Sequence, residues 1–516
     1  MLKTLLYIVF IVSISLCGVN ASAQDYSEIH KKYFRYKKRL DNFIVYGRGQ
    51  GHAILSGIRN RDAWFNRDGV PNSGDEISTH TSITFGQSFT RTGFLLGALS
   101  LEYALFSRSG NMKEAVITLR QINDILAAFE RCDNCESGPP WYGKDTLDGF
   151  YIREDVPAVL SDSMYEALNT QCSNKFLKDR INDNEFGVPA KIYQNQVECI
   201  DMYNDHIGFY YTYRFPNDPG ITSFYERDEK ARNYYTSQKF TSQDETIGAL
   251  VGLTLCIEII DDSATRNNAA EIALRMINYL TGYKSNGSTK WWRPQFPDGT
   301  MLGNFNGGEV RGFAFPLKLL ALKIMEKTGL GSEFIGIEKA PFNPTYFEGA
   351  EITSVTAIGY DRYSALPFMT CQTLAMAGES RLFHSIEKEL LYITNKYNWD
   401  TFFLLLYAAI NHKKEAEISG LYNYSKLLQQ LETAPANGPY NYSTGNAGGV
   451  NGWAAEFKWS STVESQNGER AEGWKLGNFS GVDYLILHNL ACYMLDDYRE
   501  SFVHYCQNTP NLNQYE

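Results

Sequence analysis

The sequence predicts an all-α protein of about twelve helices, paired as six hairpins closed into a ring. Three observations lead there. Apolar residues recur at helical spacing nearly everywhere after residue 85. The connections alternate between short turns and long polar segments. The most apolar helices carry small residues at a spacing that lets a neighbouring helix approach closely.

An opening helix is expected over Tyr26 to Leu40. Further starts fall near Gln87, Asn111, Ser163, Ser242, Ser263, Arg311, Tyr363, Ser380, Asp400, Gly420 and Gly481. The Ser242 start is the most specific, because Ser242 and Glu245 form a capping-box pattern ahead of an apolar run. That run holds Gly248 and Gly252, four residues apart, and the Gln87 helix echoes it with Gly93 and Gly97. Both read as inner, crowded helices. Between the helices lie residues 47–84, 131–160, 183–240, 284–310, 336–362 and 434–479, rich in Gly, Asn, Tyr and Trp. Segments this long inside a compact protein usually carry function or small β-hairpins. No fixed-period repeat and no Pro- or Ser-rich linker divides the chain, so residues 24–516 are expected to form one domain.

Residues 1–23 read as a signal peptide, with Lys3, an apolar run from Leu5 to Leu16, and Ala21-Ser22-Ala23 as the cleavage site. Leu16 stands where a lipid-attachment box wants a small residue, so cleavage after Ala23 is favoured over lipidation at Cys17. Export to the periplasm or beyond follows. No membrane span is expected: Phe402 to Ile410, the most apolar later stretch, is about half the ~20 residues needed. A formal charge of -11 without any basic run argues against nucleic acid. Nothing in the sequence fixes an oligomeric state. The aromatic content stands out, with Tyr 34, Phe 30 and Trp 8. Rings that pair an apolar face with a polar edge suit both cores and sugars. Eight of the nine cysteines remain after cleavage. Cys132-Asp133-Asn134-Cys135 reads as a loop with a local disulfide or free thiols rather than half of a zinc site.

Three strings give the chain a family likeness: Ser242-Gln243-Asp244-Glu245, the segment from Asp148 to Asp155 (DGFYIRED), and Gly477 to Tyr484 (GNFSGVDY). With these it resembles the secreted (α/α)6-toroid carbohydrate-active proteins of Bacteroidetes type, including unsaturated glucuronyl hydrolases and related glycosidases. The resemblance implies a cavity at one end of the ring, lined by loops and helix starts, where paired carboxylates cleave glycosidic bonds.

Such cleavage needs one ionised and one protonated carboxyl with pKa values pushed apart. Asp244 is expected to be the ionised partner, since a helix N-terminus favours an anion. First-turn acids are also routinely just stabilising, and the capping box already accounts for Glu245. Two residues compete as the acid. Glu309 follows the flexible Asn306-Gly307-Gly308 and lies downstream of Trp291 and Trp292, a candidate stacking wall. Glu456 sits between Trp453 and Trp459, where an apolar setting would raise a carboxyl pKa. Asp155 is a third catalytic candidate, beside Arg153, which could bind a uronic-acid carboxylate or simply anchor the loop. Asp361 and Arg362 invite the same two readings. His206, in an aromatic segment with Asn204 and Arg214 near it, would instead serve β-elimination on a uronic-acid glycan. A non-catalytic glycan-binding protein is the remaining alternative. Residues 66–76 are rich in oxygen ligands but lack EF-hand spacing, so no cofactor is expected beyond an outside case for calcium.

Overall fold

The structure, a computed structural model, describes residues 26–40, 44, 57–60, 81–84, 88–134, 147–151, 187–189, 192–193, 196–197, 241, 243–295, 309–341, 402–419, 424–434, 440–441, 477–478, 480–509 and 512. Its longer helices are α1 (Ser27–Arg39), α2 (Ser88–Arg108), α3 (Met112–Asp133), α4 (Gln243–Ile259), α5 (Ser263–Leu280) and α6 (Glu309–Thr328). After the short α7 (Ile335–Lys339) come α8 (Phe402–Ile410), the single turn α9 (Glu415–Ile418), α10 (Tyr424–Thr433), α11 (Val482–Met494) and α12 (Asp496–Asn508). The expected starts near 26, 87, 111, 242, 263, 311, 400, 420 and 481 all correspond to described helices; those at Ser163, Tyr363 and Ser380 lie outside the described residues.

The helices sort into two layers by their sequences. Helices α2, α4, α8 and α11 bury nearly all of their described side chains and have no polar stripe, as an enclosed helix does. Their flanking partners are one-sided: α3 buries Ile122, Ile125, Leu126 and Phe129 and leaves Lys113 and Arg120 exposed. Three of these inner helices double back on an outer one through a short turn: α2 on α3, α4 on α5 and α11 on α12. Within a layer the helices run parallel. Outer α3 and α5 match Asn123 to Thr265 and, ten residues on, Asp133 to Arg275. The start of α5 is capped by Asp262, whose carboxylate accepts the Thr265 N–H at 2.8 Å and is held below the usual carboxylate range by that bond.

The two glycine pairs face each other, as expected of crowded inner helices. A Cβ on Gly93 would run into the Gly248 carbonyl, and one on Gly252 into the Gly93 carbonyl. A Cβ on Gly248 would strike the backbone of Thr90. The α2 and α4 backbones are therefore in direct contact, and nothing larger than hydrogen fits between them. Gly93→Ala should cost ~3 kcal/mol, because the obstacle is backbone that cannot move aside. Gly331→Ala, which meets only the flexible Met325 side chain, should stay within ~1 kcal/mol. Urea unfolding of both variants checks the contrast.

The first described helix packs against the last hairpin, joining residues more than 450 positions apart. Here one polar chain runs through the core, and its direction is forced. Asn489 Nδ2 donates to the Ala98 carbonyl at 2.8 Å and to Tyr33 Oη at 3.0 Å. Its Oδ1 therefore faces His488 Nδ1 at 2.9 Å, so that nitrogen must carry the proton. His488 Nε2 is left as an acceptor for the Nδ1–H of His30 at 3.0 Å, and His30 Nε2 accepts from Ser501 Oγ at 3.1 Å. Both imidazoles are neutral. Burial, and for His30 the neighbouring His488, pushes their pKa values down, His488 to about 4. At the other end Tyr33 donates to Glu102, a fully buried carboxylate on α2 that also receives Lys37 of α1 and Thr118 of α3. One acid thus joins three helices.

Among the described residues, seven short strands lie in the segments expected to be long loops. Five of them, β1 (Gly57–Asn60), β2 (Thr81–Thr84), β3 (Gly187–Pro189), β6 (Tyr440–Asn441) and β7 (Gly477–Asn478), form one antiparallel sheet in the order β3-β2-β1-β7-β6. The others, β4 (Ile192–Tyr193) and β5 (Gln196–Val197), make a hairpin. Three expected loops, 47–84, 183–240 and 434–479, therefore meet in a single sheet. The protein is helical, and its short strands fall in the segments where small β-hairpins are expected.

One expectation needs correction. Cys132 lies buried in the last turn of α3, rather than in a loop. Cys256, Cys492 and Cys506 are buried free thiols, and burial pushes the Cys256 thiol up to about 12. No described helix is long and apolar enough to cross a membrane, and the apolar run from Phe402 to Ile410 is core helix α8.

Candidate functional site

The layer geometry brings the starts of the inner helices to one end of the protein. Thr90, in the first turn of α2, donates its N–H to the Glu245 carboxylate of α4 at 2.8 Å, so these helices begin side by side. At their far ends, Glu258 of α4 pairs with Lys327 in the last turn of α6 and, at 3.1 Å, with His412 just beyond α8. The first residue of α8, Phe402, packs edge-on against Phe94 of α2, so α8 runs the same way. Alongside α2, α11 sets Ile486 against Gly97 and Asn489 against Ala98, reached in the same order along both helices. With C-terminal ends together on Glu258, the starts of α4 and α6 face the opposite end.

That end is also where the long connections arrive. The segments ending at Ser88, Gln243, Glu309, Phe402 and Val482 enter α2, α4, α6, α8 and α11 at their starts, whereas turns such as 109–111 and 260–262 at the other end are short. Strands β2 and β7 finish only a few residues before α2 and α11. Parallel helix starts add their partial positive charges. Three of the helices answer with first-turn acids: Asp244 and Glu245 on α4, Glu309 on α6 and Asp483 on α11. Helix α2 has none of its own and takes Glu245 across the gap instead. Glu245 is fully buried, so its carboxylate joins two helices, a tie the local capping-box pattern could not reveal.

Tyr151, from one of the strings behind the family likeness, meets the residues on either side of another, Thr241 and Thr246. Tyr151 donates its N–H to Thr241 Oγ1 at 2.9 Å, and its hydroxyl lies 2.8 Å from Thr246 Oγ1. Its ring stacks on Phe89 at the start of α2. The segment before it is pinned by Asp133, which accepts the Gly149 N–H at 2.7 Å and the Arg275 guanidinium at 2.7 Å. Gly149 is required twice over: its φ is +96, and a Cβ would run into the Arg275 carbonyl.

Burial outweighs Arg275 and the Gly149 N–H and leaves Asp133 at about 6. Its folded pKa is above its unfolded value of ~3.9, so the folded state binds the proton more tightly and stability falls as pH rises from 4 through 6. Asp133→Asn should flatten that slope, which is worth about 2–3 kcal/mol in wild type. Urea unfolding at a series of pH values measures it.

Among the expected site residues, Asp244 lies in the first turn of α4 and Glu309 is the first residue of α6, directly after 306–308, which lie outside the described residues. Trp291 is partly exposed and stacks with Tyr283. Trp292 differs from a stacking wall. It is 4% exposed, its backbone is left-handed at φ 58, and its indole N–H donates to the Pro341 carbonyl at 2.7 Å. Its ring therefore packs in the core. Arg153, Asp155, His206, Asp361, Arg362, Trp453, Glu456 and the oxygen-rich stretch 66–76 lie outside the described residues. No family model, no curated protein and no solved structure matches this chain.

Proposed function

We propose that the protein is an exported glycoside hydrolase, that its hairpins close as an (α/α)6 toroid, and that it cleaves a poly- or oligosaccharide at the end where the inner helices start. One observation carries the reading: the parallel helices α4, α6 and α11 begin with acidic residues at the end where the long segments before them enter. The packing of α11 against α2 supports ring closure, since the last inner helix meets the first.

In this mechanism Asp244 is the ionised carboxylate, held so by the start of α4. Glu309 also begins a helix, which favours its anion and weakens it as the acid. Glu456, flanked by Trp453 and Trp459, then becomes the better proton donor, since an apolar setting keeps a carboxyl protonated.

A panel of neutral and uronic-acid glycans, followed by chromatography and ultraviolet absorbance together, tests the proposal. New saccharides without absorbance are the expected result. Absorbing products would replace hydrolysis by β-elimination and move attention to His206. Binding without any product would make the protein a glycan receptor.

A further inference from the structure

A second cluster of reactive side chains lies away from the helix starts, where α1 meets α11. His488 and Cys492 are one turn apart on α11 and so share a face. His30 of α1 faces them, and all three are fully buried. His30 Nδ1 and His488 Nε2 are 3.0 Å apart, Cys492 Sγ is 3.7 Å from His488 Nε2, and all three ligand atoms fall within 4.8 Å of one another. A tetrahedral ion with Zn–N near 2.0–2.1 Å and Zn–S near 2.3 Å needs edges of about 3.3 Å and about 3.5 Å. Two edges already come within a few tenths of an ångström.

We propose that His30, His488 and Cys492 bind a soft or borderline transition-metal ion of the zinc type, through two imidazole nitrogens and one thiolate. Each ring has the outer partner that such ligands need. His488 Nδ1–H is fixed on Asn489 Oδ1, and the Ala98 carbonyl fixes that amide in turn, so Nε2 already presents its lone pair. His30 Nε2 faces Ser501 Oγ at 3.1 Å, which can accept a proton-bearing nitrogen as readily as donate to a bare one. Tyr33 stacks on the His488 ring at 4.3 Å and holds its plane.

The proton balance closes. In the ion-free protein His30 carries its proton on Nδ1 and donates it to His488 Nε2, which holds the two ligand nitrogens together. On binding, that proton moves to His30 Nε2, where Ser501 accepts it. The Cys492 thiol gives up its proton to solvent, so one proton leaves per ion and affinity rises with pH. The set mixes thiolate and imidazole, which suits Zn²⁺ or copper and is poor for calcium or magnesium. A bound ion would fasten the first described helix to the last hairpin.

The test uses the full chain, expressed in zinc- or copper-supplemented medium, with Co²⁺ also offered during refolding so that burial of the site does not block loading. One ion per chain, and a thiolate-to-cobalt charge-transfer band, are expected in wild type. Cys492→Ala should lose both the band and the ion. It should also match wild type in circular dichroism and thermal unfolding under chelator, which separates lost ligation from lost fold. Ser501→Ala, which alters only an outer partner, should weaken binding ~10–100-fold. Wild type that holds no ion by either route, or Cys492→Ala that keeps it, would overturn the proposal.

Discussion

Asp244→Asn should reduce glycan turnover by ~10²–10⁴-fold while leaving the protein folded. The substitution keeps the side chain's shape at the start of α4 and removes only the charge that hydrolysis uses, so its effect on stability should stay within ~1 kcal/mol. Glu245, one residue on, supplies the contrast. It is fully buried and bonded to the Thr90 N–H, so Glu245→Gln should lower stability by ~1–3 kcal/mol through the α2–α4 junction. Steady-state rates and urea midpoints on both variants separate the roles. Equal rates for Asp244→Asn and wild type would remove Asp244 from the mechanism.

Glu102→Gln should be the most costly single substitution for stability, at about 3–5 kcal/mol. Its carboxylate is 0% exposed and gathers Tyr33 and Lys37 from α1 and Thr118 from α3. An amide offers a donor where all three partners also donate, and it leaves the Lys37 ammonium, mostly enclosed, without its counter-charge. The damage should reach further, since Tyr33 also receives Asn489 and so touches the His488–His30 chain. Thr118→Val, which removes one neutral donor and leaves the charge pair intact, should cost only about 1 kcal/mol. Chemical denaturation of the two variants measures the difference.

Much of the helical frame is legible in the residues because it depends on local chemistry. The capping pattern at Ser242 and the apolar run after it locate α4, and the matching glycine spacings of α2 and α4 anticipate which helices touch. The separation of α11 from α12 is not legible in the same way. Leu495 breaks the helix by adopting extended backbone without Gly or Pro, and only Asp496 and Asp497 at the next first turn mark the restart. Trp292 misleads for another reason: an aromatic in a loop reads the same whether it meets a sugar or caps a core, and its left-handed backbone is invisible in sequence. The polar chain from Ser501 to Glu102 is the least legible of all. Its members are ordinary residues singly, and what joins them is contact between distant ends of the chain. Within the candidate site, helix starts are readable and their common direction is not. That direction emerges only from pairings such as Thr90 with Glu245 and Lys327 with Glu258.

Where a glycan sits on the folded protein tests the central claim most directly. Hydrogen exchange on Asp244→Asn, with and without the glycan that the panel identifies, locates it without turnover. The account predicts protection at the starts of α2, α4, α6 and α11, residues 88–91, 243–246, 309–312 and 482–485. Protection confined to the opposite turns, at 109–111 and 260–262, or none at saturating glycan, would contradict it.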